Sequence, residues 1–284
     1  VVLAPQEPLG AREGDDEDKP QGCIPKFPLD RDDAISGFLW RKAGRKFPES
    51  RQAQLASSGN LGSVKMASGK IARTRAKEAR QAAQVLGATY YSSICRDLEI
   101  LYTVPALRKV AAAIRKSKAS IVLTHSPVDY MEDHTNTCRL AVTAAFTHGM
   151  PNFKTTPATR PYGNDVTVYH AMPHSLRGPL REKIVPGAFV DTTAVHERKI
   201  EALAAHASQQ DWLDASQGMN SYLKTADDMS RHVGKLSKKF KHAEGWRRHL
   251  HYGFSGEELD PLVKALGKGY RINREYERSL EKGI

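Results

Sequence analysis

The sequence predicts an α/β protein: a mostly parallel sheet flanked by helices, preceded by an irregular N-terminal segment. From about residue 70 onward, short β-prone runs alternate with helix-patterned stretches. That rhythm places helices on the faces of a parallel sheet. One of the runs, SIVLT at 120–124, carries apolar residues on both faces, as strands covered on both sides do. A third observation sets the N-terminus apart. Residues 1–30 hold four prolines before Pro28, the acidic run Asp15–Asp18 and no alternating apolar stretch, which is the composition of a disordered tail.

The elements follow in order. Residues 34–56 give only faint helical hints, and SGNLGS at 58–63 is a turn-rich loop. KIARTRAKEARQAAQVL at 70–86 is built from good helix formers and stops at Gly87. ATYYSSI at 88–94 reads as a strand by β-propensity. Pro105 opens a helix to about residue 116, with Leu107, Val110, Ala111 and Ile114 on one face. After the 120–124 strand comes a polar loop, HSPVDYMEDH at 125–134, and then a helix to about 148 that turns Cys138, Val142, Ala145 and Phe146 inward. Residues 165–171 and 187–191 read as strands, and 193–208 as a helix with Asp191 to Thr193 as cap candidates. The stretch from about 225 to 284 is basic, with mixed helical and loop signals. No internal repeat is visible.

Composition removes several function classes. No run approaches about 18 apolar residues, so no membrane-spanning helix is expected. VVLAPQEPLG lacks the basic and apolar regions of a secretory signal, which points to the cytoplasm. Cys23, Cys95 and Cys138 form no CxxC pair and no even set, so neither a disulfide scaffold nor a cysteine zinc ribbon is expected. The net charge is +11 over 284 residues. It is unevenly spread: residues 1–40 sum to −5, 41–80 to +9, 81–230 to +1 and 231–284 to +6. Trp40, Trp212 and Trp246 do not interleave with the basic runs as stacking platforms would. Both points argue against a nucleic-acid partner. A homo-oligomer is compatible with the sequence.

The loop 125–134 concentrates the chemistry. It follows the C-terminal end of a buried strand, the edge at which open α/β sheets bind ligands. It holds His125, Asp129, Glu132, Asp133 and His134. Imidazoles and carboxylates are zinc ligands, and a carboxylate beside a ligand histidine orients it. The bland alternative is a solvated polar loop, with Asp133 stabilising the start of the next helix.

HSPVDYMEDHTNT followed by an Ala-rich helix resembles the second metal-site motif of the LmbE-like (PIG-L) zinc-dependent N-acetylglucosaminyl deacetylases. SGNLGS resembles that family's loop after the second strand. Arg75-Ala76-Lys77-Glu78 resembles its Arg-x-x-Glu helix, and HERKIEALAAHASQ at 196–209 its Lys-x-x-Ala-Leu and His-x-Ser-Gln segment. The ordered set spans roughly residues 57–270. It implies a Rossmann-like, LmbE-type domain over 57–284 with a basic C-terminal extension. It also implies zinc as cofactor and an N-acetylated amino-sugar substrate. By the resemblance His134 is a zinc ligand, and Asp133 is the acidic neighbour that tunes it in catalysis. Arg75, His125 and Asp129 are the substrate-binding candidates. Arg75 has the alternative of a helix-surface charge, and His206 that of a packed structural histidine. Family members often carry a histidine three residues before the ligand; here that position is Met131, and His125 or Tyr130 are the substitutes at hand.

The family's N-terminal His-Pro-Asp-Asp motif is absent, and no histidine precedes His125. The nearest register is Leu29-Asp30-Arg31-Asp32-Asp33. It would make Asp32 the general base and Asp33 a ligand, with Asp30 at the histidine position; the alternative is surface acids. A shifted reading frame over residues 1 to about 56 would account for both the lost motif and the foreign composition. The other two frames of the encoding DNA are then expected to contain an apolar strand ending in His-Pro-Asp-Asp. The activity implied is metal-assisted removal of an acetyl group. The competing class is a catalytically impaired relative with an incomplete metal site, acting as a binding module.

Overall fold

The computed structural model describes residues 2–5, 63, 66–217 and 222–282. The Asp30–Asp33 register, the 56/57 domain boundary and all of SGNLGS except Ser63 lie outside them.

Helix α1 (Ser68–Leu86) ends where Gly87 adopts φ 64, and the Gly87 N–H caps the Ala83 and Gln84 carbonyls. Helix α2 (Val104–Ser117) starts at Thr103, whose hydroxyl accepts from Ala106 N–H, with proline in the first turn. Strand β2 (Ala119–Thr124) leads through the 125–131 loop into α3 (Glu132–Phe146). Then follow β3 (Thr167–Ala171), β4 (Ala188–Asp191), α4 (His196–Ala204), α5 (Ala207–Gln217) and α6 (Tyr222–Leu236). Strand β5 (Ala243–Arg248), α7 (Pro261–Leu266), β6 (Tyr270–Ile272) and α8 (Arg274–Glu281) close the chain.

Together with β1 (Val2–Pro5) the strands form one six-stranded sheet in the order β1-β2-β3-β5-β4-β6. The α/β class read from the sequence holds, but the sheet, expected to be mostly parallel, is mixed and mostly antiparallel among the described residues. Strands β2 and β3 pair parallel, with Thr124 opposite His170, and the other described pairs are antiparallel. The alternation along β2 shows both faces covered. Val122 packs with Ala111, Ile114 and Ala141 of α2 and α3, while Ile121 and Leu123 pack with Tyr169, Trp246 and Leu262 on the other face. Small residues on α2 and α3 let the two helices approach closely.

Three expectations differ. Residues 2–5, expected in a disordered tail, form β1 and pair antiparallel with β2. Residues 88–94 form no strand; Tyr90 and Tyr91 bury their rings in the α1–α2–α3 core from an irregular segment. β-propensity is also met by residues that fit a buried surface. The helix expected over 193–208 is broken at Ala205–His206. The break allows Glu78 of α1 to hold the start of α5, accepting from Ser208 N–H at 2.9 Å and Ser208 Oγ at 2.7 Å. Among the described residues no helix is long and apolar enough to cross a membrane.

Candidate active site

The 125–131 loop leaves the C-terminal end of β2 beside that of β3, the edge at which ligands bind in open sheets. Met131 is the N-cap of α3, so Glu132, Asp133 and His134 fall in its first turn. The two acids there face the positive end of the helix dipole.

His134 and Asp129 form the centre of the site. His134 Nδ1–H donates to Asp129 Oδ1 at 3.0 Å, and Met131 N–H donates to the same oxygen at 3.0 Å. Both side chains are almost fully buried. Burial pushes the Asp129 carboxyl up, but the His134 bond and charge, the Met131 N–H and the His125 charge together outweigh it, and the group is held below the ordinary carboxylate value. The ionised carboxylate therefore fixes His134 as the Nδ1–H tautomer and assigns Nε2 the lone pair, the arrangement that presents histidine to a metal. The His125 ring stacks on that of His134, with centroids 4.4 Å apart and planes 4° from parallel. Tyr130 presents its ring edge at 6.0 Å. The two candidates for replacing the function lost at Met131 thus both lie against His134.

Asp133 makes its hydrogen bond outside this pair. Its Oδ2 accepts from Leu98 N–H at 2.7 Å, so it ties the 97–100 segment to the start of α3. Burial raises its pKa, partly offset by the Leu98 and Ile100 amides. Arg75, on the inward face of α1 with Ile71 and Ala79, is 6% exposed; a surface helix charge is not what the fold builds there. His206 is buried at the α4–α5 break. Asp32 and Asp33 lie outside the described residues.

Three further histidines surround the loop. His170 Nδ1 lies 2.9 Å from the His125 carbonyl oxygen, which can only accept. Burial pushes the His170 pKa down to about 4, so the ring is neutral and its Nε2 must accept from His249 Nδ1–H at 2.9 Å. This relay pins the His125 backbone from β3 and the chain just after β5. His174 meets the Tyr130 ring at 6.5 Å and also lines an apolar cavity with Met172, Leu176, Tyr222, Met229 and Trp246. The wall of that cavity carries the buried pair Lys199–Glu244, 3.4 Å apart. The one sequence signal for His170 was its place at the C-terminal end of a predicted strand. Cys138 is not a nucleophile candidate, because burial pushes its thiol up to about 12.

The fold is shared with solved structures. The N,N'-diacetylchitobiose deacetylase of Pyrococcus horikoshii aligns with a TM-score of 0.58 at 20% identity, over 74% of this chain and 76% of that one. A conserved protein of Thermus thermophilus aligns at 0.58 and 20%, over 81% and 93%. The 4-carboxy-2-hydroxymuconate hydratase of Pseudomonas putida aligns at 0.53 and 23%, over 73% and 87%. A deacetylase and a hydratase on one scaffold mean that the fold alone does not select the reaction. No curated protein matches the chain. The class of protein is thus an α/β chain with a buried His–Asp pair at the ligand-binding edge of its sheet. Residues 44–145 match the family described as PIG-L: GlcNAc-PI de-N-acetylase, a stretch that includes α1, α2, β2, the 125–131 loop and most of α3.

Proposed function

We propose that the protein is a hydrolase that removes an acetyl group from an N-acetylglucosamine-type amide, with zinc as its metal. The observation that carries this reading is the Asp129–His134 pair. A buried, ionised carboxylate commits Nδ1 and leaves Nε2 as the ligand-capable atom. The family match over 44–145 supports the choice of reaction. The donor set fits zinc: neutral imidazole from His134, with Asp33 proposed as a second ligand from the sequence register. Zinc bound there would polarise the acetyl carbonyl as a Lewis acid.

The chain's own groups take the remaining roles. Asp129 keeps the His134 tautomer, and the stacked His125 ring fixes its plane. Asp133 acts as a positioning residue through Leu98. Asp32 is the proposed base, taking the attacking water's proton and returning one to the leaving amine. Tyr130 is the proposed donor to the developing oxyanion, in place of a side chain at Met131 that cannot donate. Arg75 is proposed to contact the substrate.

The second reading is an impaired relative that binds without turnover. Met131 and the absence of any histidine before His125 favour it. Zinc content and acetate release from N-acetylglucosamine-type amides, compared between wild type and His134→Ala, separate the two. The enzyme reading expects the variant to lose acetate release together with the zinc ion held at His134. Acetate release unchanged by the substitution refutes the site, and wild-type zinc uptake without acetate release selects the impaired relative.

A further inference from the structure

A second group of ligand-type side chains lies away from the 125–134 loop. His196 is the first residue of α4, Asp227 sits on α6, and His242 immediately precedes β5. Their ligand atoms all lie within 4.8 Å of one another. His196 Nε2 is 2.7 Å from Asp227 Oδ1, and His242 Nε2 is 3.3 Å from the same oxygen without a hydrogen bond to it. The imidazole rings stack with centroids 3.8 Å apart. The side chains of His196, His242 and Asp227 are 12%, 6% and 24% exposed.

A hydrogen-bonded cluster explains this poorly. Among the described residues, only His196 Nε2 of the four ring nitrogens makes a well-formed hydrogen bond; His196 Nδ1 and both nitrogens of His242 are buried without one. Buried polar atoms are normally satisfied, and three orphans at one spot point to a group that the side chains would share. The second carboxylate oxygen is already committed, because Arg231 Nε–H donates to Asp227 Oδ2 at 2.7 Å. That leaves Oδ1 as a single ligand atom, oriented by a guanidinium.

We propose that His196, His242 and Asp227 form a metal site of their own, taking zinc or a similar borderline divalent cation through two imidazole Nε2 atoms and one carboxylate oxygen. Two nitrogens and an oxygen suit zinc, with an open fourth position. Burial holds both imidazoles below the usual histidine value, aided at His196 by His242, and neutral imidazole is the form that ligates. Binding shifts the His196 proton from Nε2 to Nδ1, so it needs no net proton release from that ring. The N-terminus of α4 opposes a cation, weakly compared with what ligation by three side chains contributes. The ion would join three elements distant in sequence, α4, α6 and the entry to β5. The inference does not depend on the proposed reaction.

The test uses the full chain, stripped with a chelator and titrated with zinc, with cobalt(II) absorption as a second readout. His134→Ala removes the proposed catalytic ligand. It is expected still to take up about one zinc per chain and to give the visible cobalt bands of nitrogen ligation. Adding Asp227→Asn, a near-isosteric change at a partly exposed position, is expected to weaken that binding at least about tenfold with an unchanged circular dichroism spectrum. His242→Gln on the same background is expected to do the same and to alter the cobalt bands. Absence of zinc binding by folded His134→Ala overturns the proposal. Binding that Asp227→Asn and His242→Gln leave unaltered overturns it too. Wild type and His134→Ala that each bind a single ion, lost on Asp227→Asn, would support this site while refuting His134 as a ligand.

Discussion

The buried carboxyl of Glu244 makes the most quantitative prediction. Glu244 stands on β5 against Lys199 of α4, 3.4 Å away, and both are nearly inaccessible. Burial raises its pKa from 4.5 to about 7, only partly offset by Lys199. The folded chain therefore holds a proton between pH 4.5 and about 7 that the unfolded chain has released. Stability contributed by this group is full below the unfolded value and is lost as pH rises toward 7. At about 1.4 kcal/mol per pH unit, the loss between roughly pH 5 and pH 7.5 is about 2 kcal/mol. Glu244→Gln keeps the shape and cannot titrate. At the lower pH the glutamine stands in for the neutral carboxyl beside Lys199, so wild type and variant are expected to differ least there. Urea unfolding of wild type and variant at the two pH values is the assay. The stability of wild type relative to the variant is expected to fall by about 2 kcal/mol between the lower and the higher pH. Parallel profiles, with a change under about 0.5 kcal/mol, would refute the assignment of a strained, proton-retaining carboxyl.

Three other outcomes are expected. Asp129→Asn removes the charge that fixes the His134 tautomer and should weaken zinc binding by about 10–100-fold, read by equilibrium dialysis; wild-type affinity would show that the pair does not orient a ligand. Ser208→Ala removes the hydroxyl bond to Glu78 at the start of α5 and should cost about 1–3 kcal/mol in thermal or urea unfolding, although it lies on a helix remote in sequence from its partner; an unchanged midpoint would show that the contact does not hold α5. Cys138, buried and with its thiol pushed up to about 12, should resist iodoacetamide at about pH 8 until the chain is unfolded, as followed by peptide mass spectrometry; rapid labelling of the native protein would contradict its packing.

Local pattern foretold local structure well. Pro105 and the spacing of Leu107, Val110 and Ile114 marked α2, and Gly87 stopped α1 as its freedom at positive φ requires. The apolar run 120–124 became a strand covered on both faces. The loop after it held the site because strand ends, not strand middles, expose side chains to a ligand. Tyr90 and Tyr91 misled because burial and strand pairing favour the same residue types.

Partnerships were what the sequence could not assign. Arg-x-x-Glu and His-x-Ser-Gln looked like separate motifs, yet Glu78 and Ser208 are two halves of one contact. His170 and His249 carried no motif, and their link to the His125 backbone follows from the order β2-β3-β5. His196, Asp227 and His242 lie on three elements, and only the packing of α4 and α6 around β5 brings their ligand atoms together. The sequence by itself determined most of the stretches that fold as helix or strand, because those follow from near-neighbour sterics and the burial of periodic apolar faces, and it singled out the 125–134 loop as the candidate site by its cluster of histidines and acids. Which nitrogen of His134 is committed, which carboxyl retains a proton and which histidines meet were decided by tertiary structure. Those properties depend on electrostatic fields and hydrogen bonds between residues far apart in the chain, and the assembled sheet and its covering helices set the distances.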